Sequence, residues 1–209
     1  KLFEERLFDD LLPESERVRR IEATLAAFGV ERPSDEWARL EPILARTAAH
    51  YAASGLKDLL TRSPEAHREY PFLLNIGNAE FSGIMDVLFR NPADGVWTIL
   101  DYKTNQVAAE EVEAEIRRHG YAAQMTLYAC AVSRLLRAET IRGMLFFTFP
   151  NVRYERFDFS PAALTAFEAQ FNAALRRLSG NAPACADDAS ACAECPYARA
   201  GICSRQIAF

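Results

Sequence analysis

Residues 80–103 decide the fold: Glu80-Phe-Ser-Gly-Ile-Met-Asp-Val-Leu-Phe89, Arg90, Asn91-Pro-Ala-Asp-Gly95, then Val96-Trp-Thr-Ile-Leu-Asp-Tyr-Lys103. Two β-forming segments flank a cluster of turn residues, a pattern that predicts an antiparallel hairpin. If Asn91 pairs with Val96, every cross-strand pair sums to 187. Asp86 then lies opposite Asp101, and Ile84 opposite Lys103. Period-2 alternation puts Asp101 and Lys103 on one face with Asp86 beside them. Directly paired residues have Cβ atoms about 4.5–5.5 Å apart, so two carboxylates and an ammonium would share one small patch. Val87, Leu88, Ile99 and Leu100 suggest strands buried on both faces, where an uncompensated carboxylate is costly. A divalent cation resolves the repulsion, with the aspartates as oxygen ligands and waters completing an octahedron. On spacing alone the bland reading also stands: two solvated strand-end aspartates with Lys103 as an ion-pair partner.

Outward from the hairpin, Glu69-Tyr-Pro-Phe-Leu-Leu-Asn-Ile76 predicts a preceding strand. Ile141–Phe149 and Arg153–Phe159 predict two further strands, and a helix starts at Pro161 behind the cap residue Ser160. Between the hairpin and these strands, 107–137 reads as helical with an interruption near Gly120. Residues 1 to about 60 carry apolar positions at three- and four-residue spacing, such as Leu7, Leu11, Val18, Ile21 and Leu25, and read as helices. Gly29 closes one of them. Ser34 caps the next, which runs to Leu60 with Pro42 as a kink or break.

The chain has 209 residues, half of them apolar and a quarter charged, an ordinary globular composition with no apolar run long enough to span a bilayer. Its net charge of −5 argues against a purely electrostatic nucleic-acid binder, yet a carboxylate metal site lowers net charge in any case. Lys1-Leu2-Phe3-Glu4-Glu5-Arg6 is not a signal peptide, and the missing initiator Met suggests that residue 1 is a cut point in a longer chain or the first residue ordered in a crystal. Four of five cysteines, Cys185, Cys192, Cys195 and Cys203, crowd the last 25 residues, which is unlike a secreted disulfide scaffold and fits a cytoplasmic protein. Cys130 reads as a small core residue. No P-loop sequence occurs, so a nucleotide-driven motor is not encoded here.

In order along the chain, Glu69-Tyr70-Pro71-Phe72, Gly83-Ile84-Met85-Asp86, Asp101-Tyr102-Lys103-Thr104 and Gln124-Met125-Thr126-Leu127-Tyr128 resemble the nuclease domain of the RecB family within the PD-(D/E)xK superfamily. The resemblance covers about residues 69–149 and extends loosely to the C-terminal cysteines. Asp-x-Lys alone is a common tripeptide; the ordered set is specific. It implies an α/β fold, a central mixed β-sheet flanked by helices, with a helical N-terminal region and a Cys-rich C-terminal tail. The single domain divides into a helical lead-in (1–63), a catalytic core (64–180) and a tail (181–209).

The resemblance also implies roles. Asp86 and Asp101 match the metal-binding carboxylates, with the main-chain carbonyl of Tyr102 as a further ligand for Mg2+ or Mn2+. Lys103 matches the lysine that orients the attacking water. Gln124 and Tyr128, four apart on one helix face, match residues that contact substrate or support the site, and Glu69 matches a supporting position. The activity implied is that of a metal-dependent deoxyribonuclease, an exonuclease attached to a superfamily 1 helicase upstream of residue 1, with a second AddB- or RecC-like subunit, in double-strand-break repair. The other reading is a nuclease-like module that no longer cuts and serves DNA binding or subunit docking.

Two features depart from the pattern. The family's metal-binding His precedes a context like Lys1-Leu2-Phe3-Glu4, so it is expected just upstream of residue 1; His50 is a weak substitute, and His67 and His119 read as surface residues. In related nucleases a C-x-x-C plus a further Cys near this end, with a fourth Cys from upstream, holds a [4Fe–4S] cluster. Here either Cys185 takes the fourth position or the fourth Cys lies upstream with the His, with zinc, a disulfide or free thiols as the other readings.

Overall fold

The computed structural model describes residues 13–149 and 152–178; the expectations about residues 1–12 and about the four C-terminal cysteines lie outside these. Three helices come first: α1 (Glu14–Ala26), α2 (Asp35–Ala53) and α3 (Leu56–Arg62). The Ser34 hydroxyl accepts the Trp37 N–H at 3.1 Å and starts α2. The expected break at Pro42 does not occur, because α2 runs on through it. The chain instead breaks at Gly55, whose φ of +70 in the left-handed region halts the helix before α3.

Five strands follow in one sheet: β1 (Ala66–Ile76), β2 (Ala79–Arg90), β3 (Trp97–Gln106), β4 (Ile141–Phe149) and β5 (Val152–Phe159), in spatial order β1-β2-β3-β4-β5. β3 and β4 are parallel, joined by the crossover helices α4 (Val112–Arg118) and α5 (Tyr121–Leu136); the other neighbours are antiparallel. α6 (Pro161–Leu178) closes the described chain, and Ser160 Oγ accepts the Ala163 N–H at 3.3 Å at its start.

The centre of the sheet is buried on both faces by two separate apolar clusters, while β1 and the first half of β2 leave one face exposed at Leu73 and Ile84. Leu88, Ile99, Leu145 and Phe147 pack with Ile116, Met125 and other residues of α4, α5 and α6. On the other face Val87, Phe89, Leu100, Met144 and Phe146 pack against Tyr51, Leu56 and Leu60 of α2 and α3. That is why the hairpin strands read as near-continuous apolar runs rather than as alternating ones. No helix among the described residues is long and apolar enough to cross a membrane.

The hairpin register follows the sum of 187 from Arg90↔Trp97 to Val87↔Leu100 and ends there. Asp86 and Asp101 are therefore not ladder partners, nor are Ile84 and Lys103, as strict extrapolation expects. Face alternation explains the break. Met85 packs on the α5 side and Val87 on the α2 side, although residues two apart in a regular strand share a face. Across the ladder, Arg68↔Val87 and Tyr70↔Met85 leave Glu69 opposite Asp86 as an omitted pair, and Glu69 has φ +50. A non-glycine residue held there costs on the order of 1–3 kcal/mol. Both strands change face at this one level, and β2 leaves β3 where the two aspartates stand.

Candidate active site

Where β2 departs, the Asp86 side chain takes over the ladder's work: Tyr102 N–H donates to Asp86 Oδ2 at 2.7 Å. This fastens the carboxylate to β3 beside Asp101. Burial, then the charge of Asp101, pushes the Asp86 carboxyl up to about 6 from 3.8; the Tyr102 N–H opposes the rise and Glu69 adds to it. Asp101 is 4% exposed, and burial raises its carboxyl too, against the pull of Lys103. Lys103 Nζ lies 2.5 Å from Asp101 Oδ2, so the ammonium is the charged partner of this buried oxygen. Two neighbouring, desolvated carboxylates are oxygen donors of the kind that a hard divalent cation takes.

Lys103 is fixed from the helix side. Its ammonium donates to Gln124 Oε1 at 3.0 Å, Gln124 Nε2 donates to the Tyr128 hydroxyl at 2.8 Å, and that hydroxyl reaches Ile84 O at 3.4 Å. Burial raises the Tyr128 hydroxyl, which keeps it protonated and a donor. One chain of polar contacts thus links β3, α5 and β2, and it fixes which end of the Gln124 amide faces the lysine.

The apolar support joins the same motifs. Phe72 pairs with Gly83 across β1 and β2, and its ring meets the Tyr128 ring edge-on with centroids 5.4 Å apart. A Cβ placed on Gly83 would stand 2.8 Å from Phe72 Cε1. Glycine is therefore required by close approach: it lets the Phe72 ring lie across the strand and press on Tyr128. Gly83→Ala should tilt that ring and lower stability by about 1–3 kcal/mol, read as a lower urea midpoint with an unchanged denaturant slope.

The structure brings together Asp86, Asp101, Tyr102, Lys103, Gln124 and Tyr128. Glu69 faces Asp86 across β1, yet the described residues contain no group of three His, Cys, Asp or Glu placed to hold a metal. The histidines are engaged elsewhere. His50 Nδ1 lies 2.9 Å from Thr148 O, His67 meets Glu65 at 3.0 Å, and His119 meets Glu115 at 3.0 Å. Cys130 is buried, as expected for a core residue. Sequence reading passed over Tyr121, whose ring centroid is 3.9 Å from Lys103 Nζ. An aromatic residue three positions before Gln124 was the available signal, because residues at that spacing share a helix face.

The family model of the PD-(D/E)XK nuclease superfamily matches residues 1–203. An ATP-dependent helicase/nuclease protein of Staphylococcus saprophyticus subsp. saprophyticus is 26% identical over 123 residues, 51% of this chain and 10% of that protein. The protein of the same name from Exiguobacterium sibiricum is 32% identical over 99 residues, 39% of this chain and 8% of that protein. The match thus spans about a tenth of the length of these curated relatives. Among solved structures, the crystal structure of SSO0001 aligns with 98% of this chain and 86% of its own, at 20% identity and a TM-score of 0.41.

Proposed function

Because the chain belongs to the PD-(D/E)XK nuclease superfamily, we propose that it is a Mg2+- or Mn2+-dependent deoxyribonuclease and that Asp86, Asp101 and Lys103 carry its chemistry. The observation behind this reading is the desolvated pair Asp86 and Asp101, fastened to one level of the sheet by the Tyr102 N–H with Lys103 alongside. A divalent cation would be held by the two carboxylates and the Tyr102 carbonyl, where it would polarise a phosphoryl oxygen and help water to attack at neutral pH. Lys103 holds a positive charge beside the attacked phosphate and orients the water. Gln124 and Tyr128 keep that ammonium in place and face the substrate, while the Glu69 bend sets the direction in which Asp86 leaves the strand.

On this reading the chain is one nuclease domain whose core is 64–180. It works with a superfamily 1 helicase domain and an AddB- or RecC-like subunit in break repair, in keeping with the helicase/nuclease relatives. The four C-terminal cysteines suit a [4Fe–4S] cluster or zinc, which iron and zinc analysis of anaerobically purified protein decides. The test of the activity is incubation of linear single- and double-stranded DNA with the protein and Mg2+ or Mn2+. Cleavage to 5′-phosphate ends that stops on chelation is expected; binding without cleavage at any metal concentration, by protein that includes the expected upstream His, would overturn the reading.

A further inference from the structure

The ammonium of Lys103, on a side chain only 11% exposed, meets three partners: the Asp101 carboxylate at 2.5 Å, the Gln124 carbonyl at 3.0 Å and the face of Tyr121 at 3.9 Å. The ring is itself braced. The Tyr121 hydroxyl donates to Asn105 Oδ1 at 3.1 Å, and Asn105 Nδ2 donates to Glu115 Oε1 at 2.9 Å. Glu115 faces His119 at 3.0 Å, and the His119 ring stacks on Tyr121 with centroids 5.4 Å apart. This network ties the end of β3 to α4 and to the first turn of α5, and it uses no residue of the sequence motifs.

We infer that Tyr121 is a positioning residue for Lys103, holding the ammonium in place when Asp101 is given over to a cation. The inference rests on the nuclease reading above. One carboxylate does not neutralise an ammonium and a divalent cation equally, and the two cations repel each other. The lysine therefore needs an anchor that attracts positive charge yet offers no oxygen to the metal. An aromatic face meets both conditions: its quadrupole draws a cation, most strongly in a desolvated site, and it is not a ligand for hard ions. A carboxylate in its place would compete for the metal, and an aliphatic side chain would leave the ammonium free to move away.

The test compares Tyr121→Leu with Tyr121→Phe, which keeps the ring and removes only the hydroxyl link to Asn105. Tyr121→Leu should lower kcat at saturating DNA about tenfold or more with KM unchanged, and Tyr121→Phe should recover most of that loss. Independently of activity, NMR of the unsubstituted protein should show the Lys103 ε-methylene protons displaced upfield by the ring current. The displacement should persist in Tyr121→Phe and vanish in Tyr121→Leu. An absent displacement in the unsubstituted protein overturns the inference even if Tyr121→Leu fails to fold. A rise in KM with kcat intact also overturns it, because Tyr121 would then be touching DNA. If the unsubstituted protein, with the expected upstream His included, does not cleave DNA, the nuclease reading fails, and with it the catalytic part of the inference, while the NMR displacement still decides whether the ring holds the lysine.

Discussion

Asp101→Asn is expected to reduce phosphodiester hydrolysis by about a thousandfold or more while leaving the fold intact. The magnitude follows from the chemistry assigned to the site: a metal's stabilisation of developing phosphoryl charge is worth several kcal/mol, and each ~1.36 kcal/mol is tenfold in rate. The amide keeps the shape of the carboxylate at a position only 4% exposed, so packing around Ile99 and Leu145 is preserved. Alanine would be a poorer probe, because it adds a cavity to the loss of the ammonium's counterion, which either variant causes. With asparagine, Lys103 loses its charged partner but retains the Gln124 carbonyl and the Tyr121 face, which keep the ammonium in place. The measurement is single-turnover cleavage of linear DNA at saturating Mn2+, with a thermal melt of the same sample. Cleavage within tenfold of the unsubstituted protein would overturn the assignment of Asp101.

The hairpin and its register were legible from the turn at Asn91–Gly95: pairing Asn91 with Val96 fixes the later pairs by the sum of 187, and the near-continuous apolar runs predict strands buried on both faces. What the sequence did not reveal is where the pairing stops. The end of the ladder at Val87 and Leu100 is set by a side chain, the Asp86 carboxylate, replacing a backbone acceptor for the Tyr102 N–H. Neither β-propensity nor spacing carries that exchange. The positive φ of Glu69 is equally silent in sequence, because glutamate is not a residue type that announces a left-handed backbone. Gln124 and Tyr128 were readable as one face of a helix. Their link to Lys103, and the bracing of Tyr121 by Asn105 and Glu115, require the crossover to return α5 over β3, a long-range fact that local pattern does not contain. The break at Gly55 rather than at Pro42 has the same character: proline stays within α2, while a left-handed glycine ends the run.

The same electrostatics that make Asp86 a metal ligand on this reading make it a liability in the metal-free protein, and Asp86→Asn should expose that trade. Its carboxyl is raised to about 6 from 3.8, first by burial and then by the charge of Asp101. Below the unfolded value both states are neutral and the group contributes nothing. As pH rises from about 4 towards 6 the unfolded chain ionises first, the folded state binds more protons, and stability falls; above about 6 the penalty is constant. After allowance for partial exposure it amounts to about 2 kcal/mol. An asparagine oxygen still accepts the Tyr102 N–H but carries no charge. In the absence of metal at pH 7.5, Asp86→Asn should therefore be more stable than the unsubstituted protein by about 2 kcal/mol, and the two should converge near pH 4. Added Mg2+ or Mn2+ should reverse the order, because an ion that binds the ionised folded state stabilises it by mass action and has only one carboxylate left to grip in the variant. Urea melts from pH 4 to 8, with and without the metal, measure both effects. A variant that is less stable without metal at pH 7.5, or that gains as much from Mn2+ as the unsubstituted protein does, would show that Asp86 is a structural hydrogen-bond acceptor and not half of a metal site.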